Sequence, residues 1–171
     1  MKEKRNAGQC LKDSAFVLIM IVFDQLTKQA AVRSLKNGAG IPLLPGILEL
    51  TYVQNRGAAF GILQDARIFF FLITCAALLL IGSILLKIPE GQRYLPMRIC
   101  LLIITAGAIG NLIDRILLSY VRDFIYFSLI DFPVFNVADI YITCATFAMV
   151  LLTLVYYKEE DDFAFLSAKK K

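Results

Sequence analysis

The chain has 171 residues, 58% of them hydrophobic, with a mean hydropathy of +0.69 and a formal charge of +4. About 45–50% apolar residues is usual for a soluble domain, so an ordinary soluble fold is excluded. Histidine is absent, which removes Ser-His-Asp triads, Cys-His pairs and HExxH zinc sites. Any acid–base chemistry must come from carboxylates, lysine or tyrosine.

The length suits one domain, expected here as a single membrane-embedded unit over residues 1–171 with polar tails at 1–13 and 158–171. A bilayer span needs about 20 mostly apolar residues, and four stretches qualify: Ala15 to about Val32, Ile68 to Ile88, Met97 to Ile113, and Ile140 to Tyr157. The predicted fold class is therefore mainly α, with four transmembrane helices. The N-terminal tail reads as short, polar and partly disordered. Ala15 to Phe23 resembles a signal-peptide core, but no small-x-small cleavage site follows it before Asp24 and Lys28. Within the first span, Asp24, Gln25, Thr27 and Lys28 break the apolar run. Asp24 and Lys28 are spaced i, i+4 in the favourable order for an ion pair. A pair that locks the helix and a catalytic role are both open for them. Cys10, Cys75, Cys100 and Cys144 lack CxxC spacing and read as small buried or tail thiols.

Residues 37–65 are too patterned for a bare loop. Asn37-Gly38 and Pro45-Gly46 signal turns, and Ile47 to Val53 is rich in β-formers with partial alternation. A short strand on the outer surface is predicted, with a turn at Asn55-Arg56-Gly57. Gly57-Ala58-Ala59 is small enough for a backbone or ligand to come close. Asn55 serves either that turn or a site. The second span carries almost no polar side chains, and Phe69 to Phe71 mark its outer end.

Polar residues return in the third span. Gly107, Gly110, Asn111, Asp114 and Arg115 fall at i, i+3, i+4, i+7 and i+8, one face of a helix. Close helix packing in lipid is reason enough for the glycines. Asn111, Asp114 and Arg115 have no such reason, and ionisable groups in a membrane segment are functional candidates. From Ile116 to Phe135 the chain is expected outside, where Val121 to Phe127 can pair with the earlier strand and carry Asp123. Asn136, Asp139, Thr143 and Thr146 form a second polar stripe on the fourth helix. Asn136 and Asp139 also have capping-box spacing, so capping competes with a site role for that pair.

Lysines and arginines orient the chain. Lys2, Lys4, Arg5 and Lys12, then Lys87, Arg93 and Arg98, then Lys158 and Lys169 to Lys171 all fall on one side of a four-span topology. Both termini are thus predicted cytoplasmic, and the first and third connections outward. This bias accounts for the positive charge, with no separate basic patch for nucleic acid.

Five pieces in order resemble the lipoprotein signal peptidase family: Asp24-Gln25-Leu26-Thr27-Lys28, Asn55-Arg56-Gly57-Ala58-Ala59-Phe60, Gly107 to Arg115, Val121-Arg122-Asp123-Phe124 and Phe135-Asn136-Val137-Ala138-Asp139. The match runs from the first helix to the fourth. Arg56 stands where the family often has threonine and Arg122 where it often has valine, departures that bear on substrate preference. The resemblance implies four helices with a small antiparallel β platform on the outer face of the bacterial inner membrane. It implies an aspartic endopeptidase that cuts prolipoproteins just before a diacylglyceryl-modified cysteine, with no metal or cofactor. It assigns catalysis to Asp123 and Asp139, a choice over Asp114 that residue patterns alone leave open. Asp24, Lys28, Asn55, Gly57, Gly107, Asn111, Asp114, Arg115, Asn136 and Ala138 would support and shape the site. The partners implied are the lipidated substrates and membrane lipids, and the protein is expected to act as a monomer. A proton- or cation-coupled transporter, with Asp24, Asp114 and Asp139 as relay groups, is the competing reading. A structural membrane subunit is the third.

Overall fold

The computed structural model describes residues 7–36, 38–57 and 67–166. Apolar sequence dictates most of its architecture. Helix α1 (Ala7–Leu35), α2 (Arg67–Lys87), α3 (Leu95–Leu118) and α4 (Val137–Leu151) form the bundle, and α4 continues through one π turn over Leu152–Tyr156. All four are long and apolar enough to cross a membrane. A helix satisfies its own backbone hydrogen bonds, which a lipid interior requires. Large side chains such as Leu18, Ile19, Leu72, Leu79, Phe147 and Leu154 are exposed around the bundle. In water such a surface would be a liability; against acyl chains it is the normal covering. The chain is a multi-pass membrane protein.

Helix α3 is the hub, packing against α1, α2 and α4. Its small residues permit this. A Cβ added at Gly107 would lie 2.6 Å from the carbonyl oxygen of Ala138 and 2.8 Å from Ile142 Cγ1. One added at Gly110 would lie 2.6 Å from Asp24 Oδ2. Glycine at 107 brings the α4 backbone onto α3, and glycine at 110 makes room for the Asp24 side chain of α1.

A three-stranded antiparallel sheet caps one end of the bundle, in the order β1 (Ile41–Leu44), β2 (Leu48–Asn55) and β3 (Val121–Tyr126). The Pro45-Gly46 turn joins β1 to β2, with Gly46 at φ 71°, a left-handed conformation that suits glycine. Strand β2 pairs Val53 with Asp123 and Asn55 with Val121. The sheet rests on the end of α1 through Phe124, Ala31 and Leu35. Phe135 bridges Ile125, its N–H donating to the Ile125 carbonyl at 2.9 Å and its carbonyl accepting from Ile125 at 2.8 Å. That bridge sets the entry to α4 alongside β3.

At the opposite end Leu85, Ile88, Met97, Leu101, Leu102, Tyr157 and Phe165 form a second apolar cluster. Here the structure corrects the expected tails. Residues 7–13 belong to α1, and Asp13 accepts two bonds from Arg98, at 2.6 and 3.0 Å. The C-terminal stretch is not merely polar: Glu160–Leu166 forms a 3-10 segment whose Phe165 is buried and whose Asp162 pairs with Arg93 at 2.6 Å. Two further differences concern the site end. Helix α3 runs on to Leu118, and β1, which the turn signals did not announce, adds an edge strand. Asn37 of the expected first turn lies outside the described residues, as do Ala58, Ala59 and Phe60.

Candidate active site

The end of the bundle beneath the sheet holds two adjoining groups of polar side chains. The deeper one joins α1 to α3. Lys28 donates to Asp24 Oδ2 at 2.9 Å and to Asn111 Oδ1 at 2.8 Å, and lies 3.7 Å from Asp114. Lys28, Asp24 and Asp114 have no exposed surface at all. Asp24 Oδ1 accepts the N–H of Ala138 at 3.0 Å, so an α1 carboxylate satisfies a free amide in the first turn of α4. Asp114 is answered by Arg122, whose guanidinium donates at 2.6 and 3.1 Å and whose backbone N–H donates at 3.0 Å. Two carboxylates here face two cations, which is how buried charge is tolerated.

The second group opens onto a cavity of about 390 Å³ between β3, α3 and α4. Asp123 and Asp139 both line it, with Asn55, Gly57, Arg115 and Thr143 around them and the apolar residues Phe132 to Phe135 on one wall. Strand alternation sends Asp123 towards α4, where it is 1% exposed. Asp139 is half-buried. It sits at the third position of α4 in a complete capping box: Asn136 Oδ1 accepts the N–H of Asp139 at 3.1 Å, and Asp139 Oδ2 accepts the N–H of Asn136 at 3.1 Å. Capping and a place in the site are therefore the same geometry, not rival explanations.

Three asparagines organise the pair. Asn136 Nδ2 donates to Asp123 Oδ1 at 2.6 Å and to Asn111 Oδ1 at 3.2 Å. Asn111 Nδ2 donates to Asp139 Oδ1 at 2.7 Å. Asn55 Nδ2 donates to Asp123 Oδ2 at 2.8 Å, while its own oxygen accepts the N–H of Gly57 at 3.0 Å. Each of the four carboxylate oxygens thus accepts one bond from an amide, leaving lone-pair capacity for a proton or a water. Burial, reinforced by the negative charge of Asp139, pushes the Asp123 carboxyl up to about 7. Arg115 also lines the cavity, with its guanidinium carbon 5.2 Å from the centre of the Phe70 ring.

All twelve residues singled out in the sequence fall in or against these two groups. Gly107 and Ala138 do so by contact rather than chemistry, through the close α3–α4 approach. Thr143 reaches the cavity, but Thr146 is exposed and does not line it, so the second stripe ends one turn sooner than expected. Asp24, Asp114, Asp123 and Asp139 gather in these two adjoining groups at one end of the bundle, unlike the graded path a transporter relay would need. Gln25 and Arg122 escaped the sequence reading as site residues. Gln25 bonds Asp24, Asp114, the Gly110 carbonyl and Arg122. Arg122 does not line the cavity, and its guanidinium turns into the α1–α3 cluster instead of towards a substrate.

Fold and site together define a membrane peptidase of the aspartic class. Residues 16–155 match the family model for signal peptidase (SPase) II. The lipoprotein signal peptidase of Streptococcus pyogenes serotype M5 (strain Manfredo) is 42% identical over 155 residues, covering 88% of this chain and 98% of that protein. Its counterpart in serotype M3 (strain SSI-1) is 41% identical with the same coverage. A solved bacterial membrane enzyme structure, obtained by the in meso method at 2.3 Å, superposes with a TM-score of 0.78 at 33% identity, covering 94% of this chain and 97% of the other. A second, at 1.9 Å, gives 0.75 at 33% identity, covering 91% and 99%. The chain belongs to the signal peptidase II family.

Proposed function

We propose that this protein removes the signal peptide from prolipoproteins, cutting before a cysteine that already carries diacylglycerol, with a water activated jointly by Asp123 and Asp139. One observation carries the reading: two carboxylates line one cavity, linked through Asn136, and among the described residues their hydrogen bonds come from amides and not from cations.

Two neighbouring carboxylates cannot both ionise cheaply, so the pair keeps one proton. The more buried Asp123 holds it at rest. The N-terminus of α4 favours negative charge on Asp139, which acts as the base. Asp139 takes a proton from the water as its oxygen attacks the scissile carbonyl carbon. Asp123 gives its proton to the carbonyl oxygen as the tetrahedral intermediate forms. The C–N bond then breaks as the proton held by Asp139 passes to the departing amine of the cysteine and one hydroxyl of the intermediate returns its proton to Asp123. The products are a signal peptide ending in a carboxyl group and a lipidated chain with a free amino terminus. Asn111, Asn136 and Asn55 hold the carboxylates in place, and Arg115 lies in the cavity where the peptide passes.

The cavity lies where the sheet meets the helix ends. Acyl chains can therefore stay in the bilayer while the peptide bond reaches the carboxylates. The Lys/Arg distribution supports a topology with both termini in the cytoplasm and the site towards the outer face of the bacterial inner membrane. The whole chain acts as one unit, as a monomer. Purified protein in detergent with chelator should cleave a diacylglyceryl peptide before its cysteine. Asp123→Asn and Asp139→Asn should insert and fold yet leave it uncut; normal cleavage by either variant would overturn the assignment.

A further inference from the structure

We propose that Arg122 is a positioning residue for the reaction, a guanidinium staple that fixes the start of β3 against α3 and α1 and so holds Asp123 opposite Asp139. This inference rests on the proposed roles of those two aspartates.

Arg122 and Asp123 are adjacent on β3, and their side chains leave the strand on opposite faces. Asp123 goes to the cavity. Arg122 goes to the helices, 9% exposed. Three of its bonds converge on one carboxylate: Nη2 to Asp114 Oδ1 at 2.6 Å, Nε to Asp114 Oδ2 at 3.1 Å, and the backbone N–H to the same Oδ2 at 3.0 Å. Two further bonds cross to α1, Nη2 to Gln25 Oε1 at 2.7 Å and Nη1 to Gln29 Oε1 at 3.4 Å. A planar fork holding a carboxylate at two points fixes direction as well as distance, which an ammonium cannot do. The strand is thereby tied to two helices one residue away from Asp123.

A second consequence follows from charge. Asp24 and Asp114 face Lys28 and Arg122, two anions against two cations. Without Arg122, Lys28 would be the only cation among the described residues bonded to either, and the attraction of Asp114 for it would rise. Lys28 now donates to Asn111 Oδ1 at 2.8 Å and stands 3.7 Å from Asp114. The bond to Asn111 Oδ1 aims Asn111 Nδ2 at Asp139 Oδ1. Arg122 thus leaves Lys28 free to orient the amide that holds Asp139. One side chain outside the cavity acts on both carboxylates.

The test is steady-state kinetics of Arg122→Val, Arg122→Lys and Asp123→Asn on a diacylglyceryl peptide in detergent, each corrected for the folded fraction from thermal unfolding. Displacement of a reacting group by about 1 Å can cost 10²-fold, so Arg122→Val should lower kcat by about tenfold to a hundredfold with KM changed less than about twofold. Arg122→Lys, which keeps the charge and loses the fork, should recover part of that loss. If Arg122→Val keeps the kcat of the unmodified protein per folded molecule, or loses only KM, Arg122 does not position the aspartates. If Arg122→Val does not fold, Arg122→Lys decides alone: full kcat overturns the staple and reduced kcat supports it. Cleavage by Asp123→Asn would overturn the underlying reading, separately from the fate of Arg122.

Discussion

The two ends of the bundle both bury charge, and they do so differently. At the far end each carboxylate meets a guanidinium: Asp13 with Arg98 at 2.6 Å and Asp162 with Arg93 at 2.6 Å. Half of the site end follows the same rule, Asp24 and Asp114 against Lys28 and Arg122. The other half breaks it. Asp123 and Asp139 face amides and one shared cavity. Matched pairs hold helices together; under the proposed function the amide-bonded pair keeps one proton and uses it. On that reading the difference locates chemistry where residue type alone would not, since all six residues are aspartates.

If this contrast is right, substitutions should separate activity from stability according to the end they touch. Asn136→Ala should have the largest effect, because it removes the bridge between the carboxylates together with the α4 cap. Loss of one preorganised donor costs about 10²–10³ in kcat, and loss of the cap about 1 kcal/mol of stability; both are read from one preparation by kinetics and thermal unfolding. Asp13→Asn at the far end should do the reverse. It leaves Arg98 buried without its charge partner, a cost of about 3 kcal/mol, while kcat per folded molecule stays that of the unmodified protein. A fall in kcat there would mean that the two ends are coupled. Gly107→Ala should come next, since its Cβ would meet the Ala138 backbone at 2.6 Å. Overpacking of this kind costs about 1–3 kcal/mol, and thermal unfolding would register it.

A further effect is a slope with pH. Folded Asp123 keeps its proton up to about 7, whereas an unfolded aspartic acid releases it near about 3.9. Between those values the folded state binds more protons, so stability falls as pH rises from about 4 to about 7. Asp123→Asn should flatten that part of the stability curve, and Asp13→Asn should not.

Legibility in the sequence followed the range of the interactions. The spans were visible because apolar runs are local, and the Gly107 to Arg115 stripe because helix periodicity is local. The capping spacing of Asn136 and Asp139 was also plain, although it pointed to a cap and a site at once. What stayed hidden depends on distant partners. Gln25 meets Arg122 across 97 positions, and nothing near either residue in the chain announces the other. β1 was missed because its four residues include Pro42 and are all exposed, with no buried face to create alternation. The 160–166 segment looked like a polar tail because acidic residues surround Phe163 and Phe165, whose apolar partners lie on α2, α3 and the end of α4.

Infrared difference spectroscopy across a pH titration of the purified protein reads the retained proton directly. One protonated carboxyl band should disappear with a midpoint near 7, persist in Asp13→Asn and be missing from Asp123→Asn. A spectrum without such a band below pH 7, or one in which the band survives in Asp123→Asn, would contradict a shared proton between Asp123 and Asp139.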